Sequence, residues 1–339
     1  MAIATTRAKE SGSTSETRRS QAWFQHQAVP IIGATIALFV LCALFVPGSV
    51  TGLSLNAMLP LAAVLAVASV GQAIVIRQRG IDLSVGGTMT LCAVVLAWFS
   101  TRHAVPLAIT LLVVAMTAVS IGTINGILVA RFKVTPLIAT LAVNSIATGA
   151  VWTYSKGFQA DVPSSVNSFA TSKLAGIPVL AWIVVVVIVL VAVITSRTVL
   201  GRRYTAIGAN PRTAHAAGLP VDSYVIGSYV AAAVLFGVAG VLLAGYVKTI
   251  STGLGASYML PTIAAVIVGG TALTGGKGSI IATAVAALFL TQLVQMVLTL
   301  GAPSSVQLLI QAAAIAIAAA IRGVRWSALT GRGRAQTRS

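Results

Sequence analysis

The feature that most constrains the fold is a series of long apolar runs separated by short polar interruptions. Of the residues, 57% are hydrophobic and 8% are charged. After Glu16 the acidic residues are Asp82, Asp161 and Asp222 alone. Because a charge at the centre of a bilayer costs about 2.5–3.5 kcal/mol on insertion scales, this composition predicts an all-α polytopic membrane protein rather than a soluble domain.

A membrane-spanning helix needs about 20 apolar residues, within a range of about 17–25. We predict about ten such helices, which place the N-terminus and the C-terminus on the cytoplasmic side. The eighth is short and bounded by glycine, which indicates a tilted, broken or re-entrant segment near 259–274. The predicted spans are residues 29–47, 56–77, 83–101, 105–130, 134–154, 178–196, 224–246, 259–274, 279–300 and 304–321.

The basic residues support this topology. A net charge of +17 would also suit a nucleic-acid-binding protein, but the Lys and Arg residues are dispersed in short clusters between the apolar runs. In the predicted topology these clusters lie inside, as the positive-inside rule requires, and we therefore expect a multi-pass protein of the cytoplasmic membrane and no nucleic-acid partner. The exceptions, which lie outside, are Arg102, Lys156, Lys173 and Lys248.

Three regions follow from this pattern. Residues 1–25 are rich in Ser, Thr and Arg, and we predict a disordered cytoplasmic tail. Residues 26–322 form the predicted transmembrane domain, which includes a cytoplasmic loop at 197–223. Residues 323–339 form a basic cytoplasmic tail.

The cytoplasmic loop carries a polar, basic segment, GRRYTAIGANPRTAHAAGLPVDSY at 201–224. Asn210 and Pro211 are typical of a helix N-cap and first helical position, and Gly218 is typical of a helix stop. The pattern predicts a short helix outside the membrane. An ordinary solvated loop is one interpretation. The favoured one is a docking helix whose alanines (Ala214, Ala216, Ala217) fit a groove while arginines (Arg202, Arg203, Arg212) meet acidic rims.

A second motif, GIDLSVGG, occupies residues 80–87. Asp82 and Ser84 open the third predicted span, so Asp82 is placed to cap it and to pair with Arg77 or Arg79. This pattern suits a structural cap and ion pair. The alternative is a hinge or gate at the cytoplasmic mouth of the bundle.

The third motif, GGTALTGGKGS at 269–279, has some features of a phosphate-binding loop. Such a loop requires Ser or Thr directly after its lysine and Gly at its first position, whereas Gly278 follows Lys277 and Thr271 stands at the first position. We therefore predict no nucleotide site here, and glycines that let helices approach closely. Cys42 and Cys92 lie in apolar runs, and the sequence indicates no metal site, catalytic residue or cofactor.

Polar residues inside predicted spans are candidates for a solute pathway, because polar groups in hydrocarbon are costly. Asn144, Gln292 and Gln295 lie near the middle of their spans and could pass an uncharged polyol between neutral donors and acceptors. The alternative is interhelical hydrogen bonding that only holds the bundle together.

The three motifs together resemble the membrane-spanning permease of ribose-type ABC importers. That family carries G-I-D-L-S-V-G, matched at 80–86, and a segment with G-R and later N-P, matched at 201–219. Its third signature, I-A-A-V-V-x-G-G-T-S-L-x-G-G-x-G, is matched at 263–278. The likeness extends over about residues 52–322. Departures are Arg212, Thr213 and His215 in the second motif, and Tyr258-Met259-Leu260-Pro261 ahead of the third, where acids common in the family are missing.

The resemblance implies a transport subunit with no nucleotide site of its own, which imports a monosaccharide or a related polar solute. It implies cytoplasmic ATP-binding subunits docked on residues 208–219, an extracytoplasmic solute-binding protein, and a homodimer or a pair of permeases in the lipid. The implied coupling residues are Gly208, Asn210, Pro211, Arg212, Thr213, His215 and Gly218. The implied gate or structural residues are Gly80, Asp82, Ser84, Gly86, Gly269, Gly270, Gly275 and Gly276.

Two other classes of transporter remain as alternative interpretations of the sequence. A permease for branched-chain amino acids shares the second motif, although the Gly-Gly-Thr-x-Leu form of the third motif favours the sugar type. An ion-coupled secondary transporter would usually need a carboxylate in mid-membrane, and no predicted span holds one there.

Overall fold

The computed structural model describes residues 28–323, and most of them are helical. Two short strand pairs connect helix ends on one side: β1 (Ala160–Asp161) with β4 (Thr249–Ile250), and β2 (Lys173–Leu174) with β3 (Ile177–Pro178), both antiparallel. The helices are α1 (Ala28–Phe45), α2 (Gly52–Arg77), α3 (Val85–Ala97), α4 (Leu107–Ala130), α5 (Pro136–Ser155), α6 (Ser164–Thr171), α7 (Val179–Arg197), α8 (Val199–Ala209), α9 (Pro211–Ala216), α10 (Val221–Val247), α11 (Met259–Val268), α12 (Ile280–Thr299) and α13 (Ser304–Gly323).

Within the described range, seven helices are long and apolar enough to cross a membrane, and they are α1, α2, α4, α5, α7, α10 and α12. Two further apolar helices are shorter, at Val85–Thr101 and Ala256–Val268. Every predicted span contains a helix, so a polytopic helical membrane protein is confirmed. The number of crossings and the side on which each terminus lies stay predictions. The tail at 1–25 lies outside the described residues, as does the tail at 323–339 beyond Gly323.

The predicted span at 259–274 is wrong in its extent. The helix ends at Val268, and residues 269–279 form a non-helical connection. At 1.5 Å per residue, the 10 residues of α11 extend over about 15 Å, which is half of a bilayer core of about 30 Å. The turn before α11 contacts the start of α3, where Gly255 N donates to Thr90 Oγ1 at 2.9 Å. The segment is therefore a half-helix whose preceding turn packs against α3.

Burial separates central from peripheral helices. In α2, 89% of the spanning window is buried, and every residue of α3 is buried. In α7 only 17% is buried, and its exposed side chains include Val186 and Leu190. A helix that is apolar all round and largely exposed suits contact with lipid, so α7 is peripheral and α2 and α3 are the centre of the bundle.

Candidate functional site: a junction of the three motifs

The short helix predicted in the polar segment is confirmed as α9. Asn210 is its N-cap, with Oδ1 accepting from Thr213 N at 3.2 Å, and Pro211 is the first helical residue. At the other end Gly218 N donates to His215 O, Leu219 N donates to Ala214 O, and Gly218 has a φ of +78°. These two bonds form a Schellman cap, so a helix of only six residues has both ends satisfied.

The helix that precedes α9, α8, was not predicted from the sequence. Thr198 caps it, with Oγ1 accepting from Gly201 N at 3.1 Å. Its buried residues, Gly201, Tyr204, Ile207 and Gly208, recur three or four positions apart, while Arg202 and Arg203 are exposed. That spacing is the signal that would have revealed an amphipathic helix within the basic segment.

Side chains fasten α8 to the end of α2. Arg77 Nη2 donates to Thr205 Oγ1 at 3.0 Å, and its guanidinium lies over the Tyr204 ring, 5.0 Å from the centroid. Gln78 Nε2 donates to Tyr204 O, and Tyr204 Oη donates to Ile74 O, each at 2.6 Å. Burial raises the pKa of the Tyr204 phenol to about 12, against the lowering effect of Arg77, so the hydroxyl stays a donor at physiological pH.

Arg79 forms a second connection between the same elements. Its Nε donates to Gly208 O at 2.9 Å, and its Nη2 donates to Ala209 O. Both acceptors are end carbonyls of α8, which have no partner within the helix, and a cation is favoured at that end of a helix.

The third motif joins the junction through its backbone. Gly276 N donates to Arg77 O at 2.8 Å. A Cβ on Gly276 would lie 2.6 Å from Ala209 Cα, and one on Gly208 would collide with Arg77 O. Gly275 is equally close, since its Cβ would lie 2.7 Å from Gly208 O. Three segments therefore meet at one end of the bundle. They are the end of α2 with Arg79, directly before the first motif, the end of α8 in the second motif, and Gly275 and Gly276 of the third motif.

Asp82 differs from its prediction in two respects. Its Oδ1 accepts from Ser84 N at 2.8 Å and from Ser84 Oγ at 2.6 Å, within the turn before α3, whereas Ser84 itself is the N-cap of that helix. The predicted ion pair is also wrong, because Arg77 and Arg79 extend to α8 instead. Asp82 is fully buried, and among the described residues its Oδ2 has no hydrogen-bond partner.

Side chains from three helices surround the Asp82 turn. The Gln72 amide faces the Asp82 backbone and, in the orientation that satisfies both groups, donates to Asp82 O at 3.0 Å and accepts from Asp82 N at 3.2 Å. Asn125 Nδ2 donates to Ser84 Oγ at 2.8 Å, and Leu83 N donates to Thr140 Oγ1 at 2.9 Å. The turn is therefore fixed to α2, α4 and α5.

The other glycines of the first and third motifs lie at close contacts. Gly80 abuts Tyr229 Oη, and a Cβ on Gly86 would lie 3.2 Å from Ala256 Cα. A Cβ on Gly269 would lie 2.7 Å from Thr283 Cα on α12, and Gly270 follows with a φ of +92°. None of these positions is a cleft that a ligand could enter, so their geometry suits packing.

The exposed surface of α9 differs in part from the predicted one. Ala214 is buried against the protein, so the predicted docking face of three alanines is wrong for that residue. Ala216 and Ala217 are exposed, and so are Arg212, Thr213 and His215. The outward surface of α9 is therefore mixed, with two small residues beside a cation, a hydroxyl and an imidazole.

The candidate pathway residues do not form one site. Asn144 on α5 has its Oδ1 accepting from Gly87 N at 2.8 Å, so it is committed to holding α3. Gln292 on α12 is fully buried with its Nε2 3.4 Å from Ser49 Oγ. Gln295, one turn further along α12, is half-buried. Asn144 and Gln292 bond different elements, which suits interhelical bonding better than a shared path.

Comparison with known proteins identifies the class of protein. A family model described as the permease component of the branched-chain amino acid transport system matches residues 54–319. The chain therefore belongs to this family of membrane permease components, and it is a multi-pass protein of the cytoplasmic membrane.

Three individual proteins are similar to this chain over most of their length. The ribose import permease protein RbsC of Escherichia coli K12 is 30% identical over 304 residues, which cover 88% of this chain and 94% of the relative. The Haemophilus influenzae KW20 Rd protein of the same name is 31% identical over 75% of this chain and 80% of its own. The autoinducer 2 import system permease protein LsrD of Escherichia coli O9:H4 is 31% identical over 74% of this chain and 78% of the relative. No solved structure gives a significant match.

Proposed function

We propose that this chain is the membrane-spanning subunit of an ATP-driven importer of a monosaccharide or a related polar solute. The relatives whose names state ribose and autoinducer 2 import support the sugar class. The observation that carries the mechanism is α9, a helix capped at both ends and exposed outside the bundle, yet attached through α8 to the central helix α2.

The driving subunit docks on residues 208–219. Asn210, Pro211 and Gly218 hold α9 in shape, and Arg212, Thr213 and His215 face outward. Because family members usually have an acid at the position of Arg212, the ATP-binding partner must present a complementary, more acidic surface here. The permease contributes no nucleotide site, since residues 269–279 depart from the phosphate-binding motif and use their glycines to pack on α8.

Transport then follows from alternating access. ATP binding closes the cytoplasmic subunits and displaces α9, and the contacts from α8 to α2 carry that displacement into the bundle. An extracytoplasmic binding protein delivers the solute to the opposite side, and a second permease subunit, identical or paired, completes the pathway. The chain itself requires no cofactor.

Branched-chain amino acids are the alternative cargo, because the family description names them. The form of the third motif, Gly-Gly-Thr-Ala-Leu at 269–273, favours the sugar type. Competition between solutes decides between them. In membrane vesicles with the partner subunits, uptake of labelled ribose is measured. Unlabelled ribose or glucose should reduce that uptake, and unlabelled leucine should not.

Replacement of residues 210–218 by a Gly-Ser linker of equal length tests the docking claim. The chain should still insert in the membrane, because none of the spanning helices is altered. We expect ATP-binding subunits to co-purify poorly and ATP-dependent uptake to be lost. Replacement of Gly253 by Ala, at a position with open space, is the control that should keep both. Normal uptake by the linker variant would refute docking on α9.

A further inference from the structure

Arg79 has a backbone conformation that its own residue type disfavours. Its φ is +67°, in the left-handed region where glycine is the usual residue, and the chain has a glycine at the next position instead. Backbone geometry alone therefore does not account for an arginine here. Its side chain does, because the guanidinium satisfies the two end carbonyls of α8, Gly208 O and Ala209 O.

The contact lies at the point where motion of α9 would enter the protein. Ala209 O is separated from Pro211, the first residue of α9, by Asn210 alone. A guanidinium that binds two adjacent carbonyls constrains direction as well as distance, because its donors form a rigid planar fork. Arg79 therefore fixes the end of α8 relative to the connection between α2 and α3.

On its other side, Arg79 lies three residues before Asp82, and the intervening chain is too short to absorb a large displacement. The Asp82 turn in turn bonds α4 through Asn125 and α5 through Thr140. The Arg77 contacts act differently, since they hold α8 to the end of helix α2 and not to this turn.

We infer that Arg79 is a positioning residue that passes the displacement of α9 to the buried start of α3, and so to the contacts of α3 with α4 and α5. This inference rests on the proposed function, because it requires that an ATP-binding subunit drives α9. It assigns to Arg79 the coupling of hydrolysis to transport, and it leaves subunit docking to the exposed residues of α9.

The experiment uses the complete transporter, with its ATP-binding and solute-binding partners, reconstituted in lipid vesicles. The variants are Arg79→Gln, which removes the charged fork, and Arg79→Gly, which also relieves the left-handed backbone. Lys133→Gln is the matched control, because Lys133 is a basic residue with a φ of +55° whose ammonium reaches Ala130 O and Asp222, not α8. Solute transported per ATP hydrolysed is measured, together with co-purification of the ATP-binding subunit.

We expect both Arg79 variants to retain the partner subunit and its ATP hydrolysis, while solute transported per ATP falls about tenfold, a typical size for a coupling term. Lys133→Gln should keep the normal ratio. An unchanged ratio in Arg79→Gly would overturn the inference. So would loss of both Arg79 variants from the membrane, which would assign Arg79 to folding. If the unaltered chain shows no ATP-dependent uptake, the proposed function fails instead.

Discussion

The connection between α2 and α3 and the connection between α11 and α12 meet at the same junction, yet they are held by different kinds of contact. The first is held by side chains: Gln72 pairs with the Asp82 backbone, and Asn125 and Thr140 bond the residues that follow. It is buried and polar, and its hydrogen bonds run to three different helices.

The second connection is held by its backbone. Within it Ala272 N donates to Lys277 O and Gly275 N donates to Ala272 O, each at 3.1 Å. Its contact with the rest of the junction runs through Gly276 and depends on the absence of a side chain there. A connection of the first kind is sensitive to loss of particular polar groups, and one of the second kind is sensitive to any added carbon.

The largest expected effect is in the second connection. The change Gly276→Ala places a Cβ 2.6 Å from Ala209 Cα, at a φ of +74°. Overpacking and left-handed strain together should lower the free energy of unfolding by about 2–5 kcal/mol. Unfolding in detergent micelles and yield in the membrane measure this. Gly227→Ala, where no atom lies within 4 Å of the new Cβ, should change stability by less than about 1 kcal/mol. Equal stability of the two variants would remove the distinction between the connections.

The first connection should distinguish between two changes at one residue. Asp82→Ala removes the acceptor of Ser84 N and Oγ, and an unsatisfied buried donor costs about 1–3 kcal/mol. Asp82→Asn keeps an acceptor in the same place and should retain more of the stability. Membrane yield and uptake are measured together. We expect both to fall in Asp82→Ala, with the order of preference among solutes unchanged. Identical losses in the two variants would show that the charge of Asp82 matters rather than its acceptor.

The smallest effect should come from Asn144, which bonds the first turn of α3. Asn144→Ala removes its bond to Gly87 N and should cost about 0.6–1.7 kcal/mol, the usual range for interhelical bonds in membranes. The KM for uptake should stay the same, because the side chain is occupied by the backbone of α3. A raised KM in a variant of normal stability would support the interpretation that Asn144 lines the solute pathway. The stability and the KM of Asn144→Ala are compared with those of Gln295→Ala, which alters a half-buried position on α12.

Local signals in the sequence predicted those features that neighbouring residues decide. Asn210, Pro211 and Gly218 predicted the bounds of α9 because cap chemistry acts over a few residues. The helix α8 could have been predicted from the spacing of Gly201, Tyr204 and Ile207, but the two arginines directly before Tyr204 concealed its apolar face.

Contacts between distant residues could not be predicted in the same way. Arg77 and Arg79 are close to Asp82 in sequence, so an ion pair was the natural expectation. In the structure each guanidinium extends to α8, about 130 positions away along the chain. The end carbonyls of α8 have no partner within the helix, and the oxygen of the Thr205 hydroxyl accepts from Arg77 while its proton is donated to Gly201 O. Ala214 was misplaced for a similar reason, since only packing decides which face of a short helix is covered.

The sequence by itself determined that this is a helical membrane protein, because the cost of charge and unpaired backbone in lipid leaves few alternatives for long apolar runs. It also determined where α9 begins and ends, because cap chemistry acts over a few residues. The tertiary structure alone decided that α11 ends at Val268 and that the three motifs meet at one junction. Both depend on glycines that let backbones from distant parts of the chain approach, and a linear pattern does not contain the identity of the backbone that approaches.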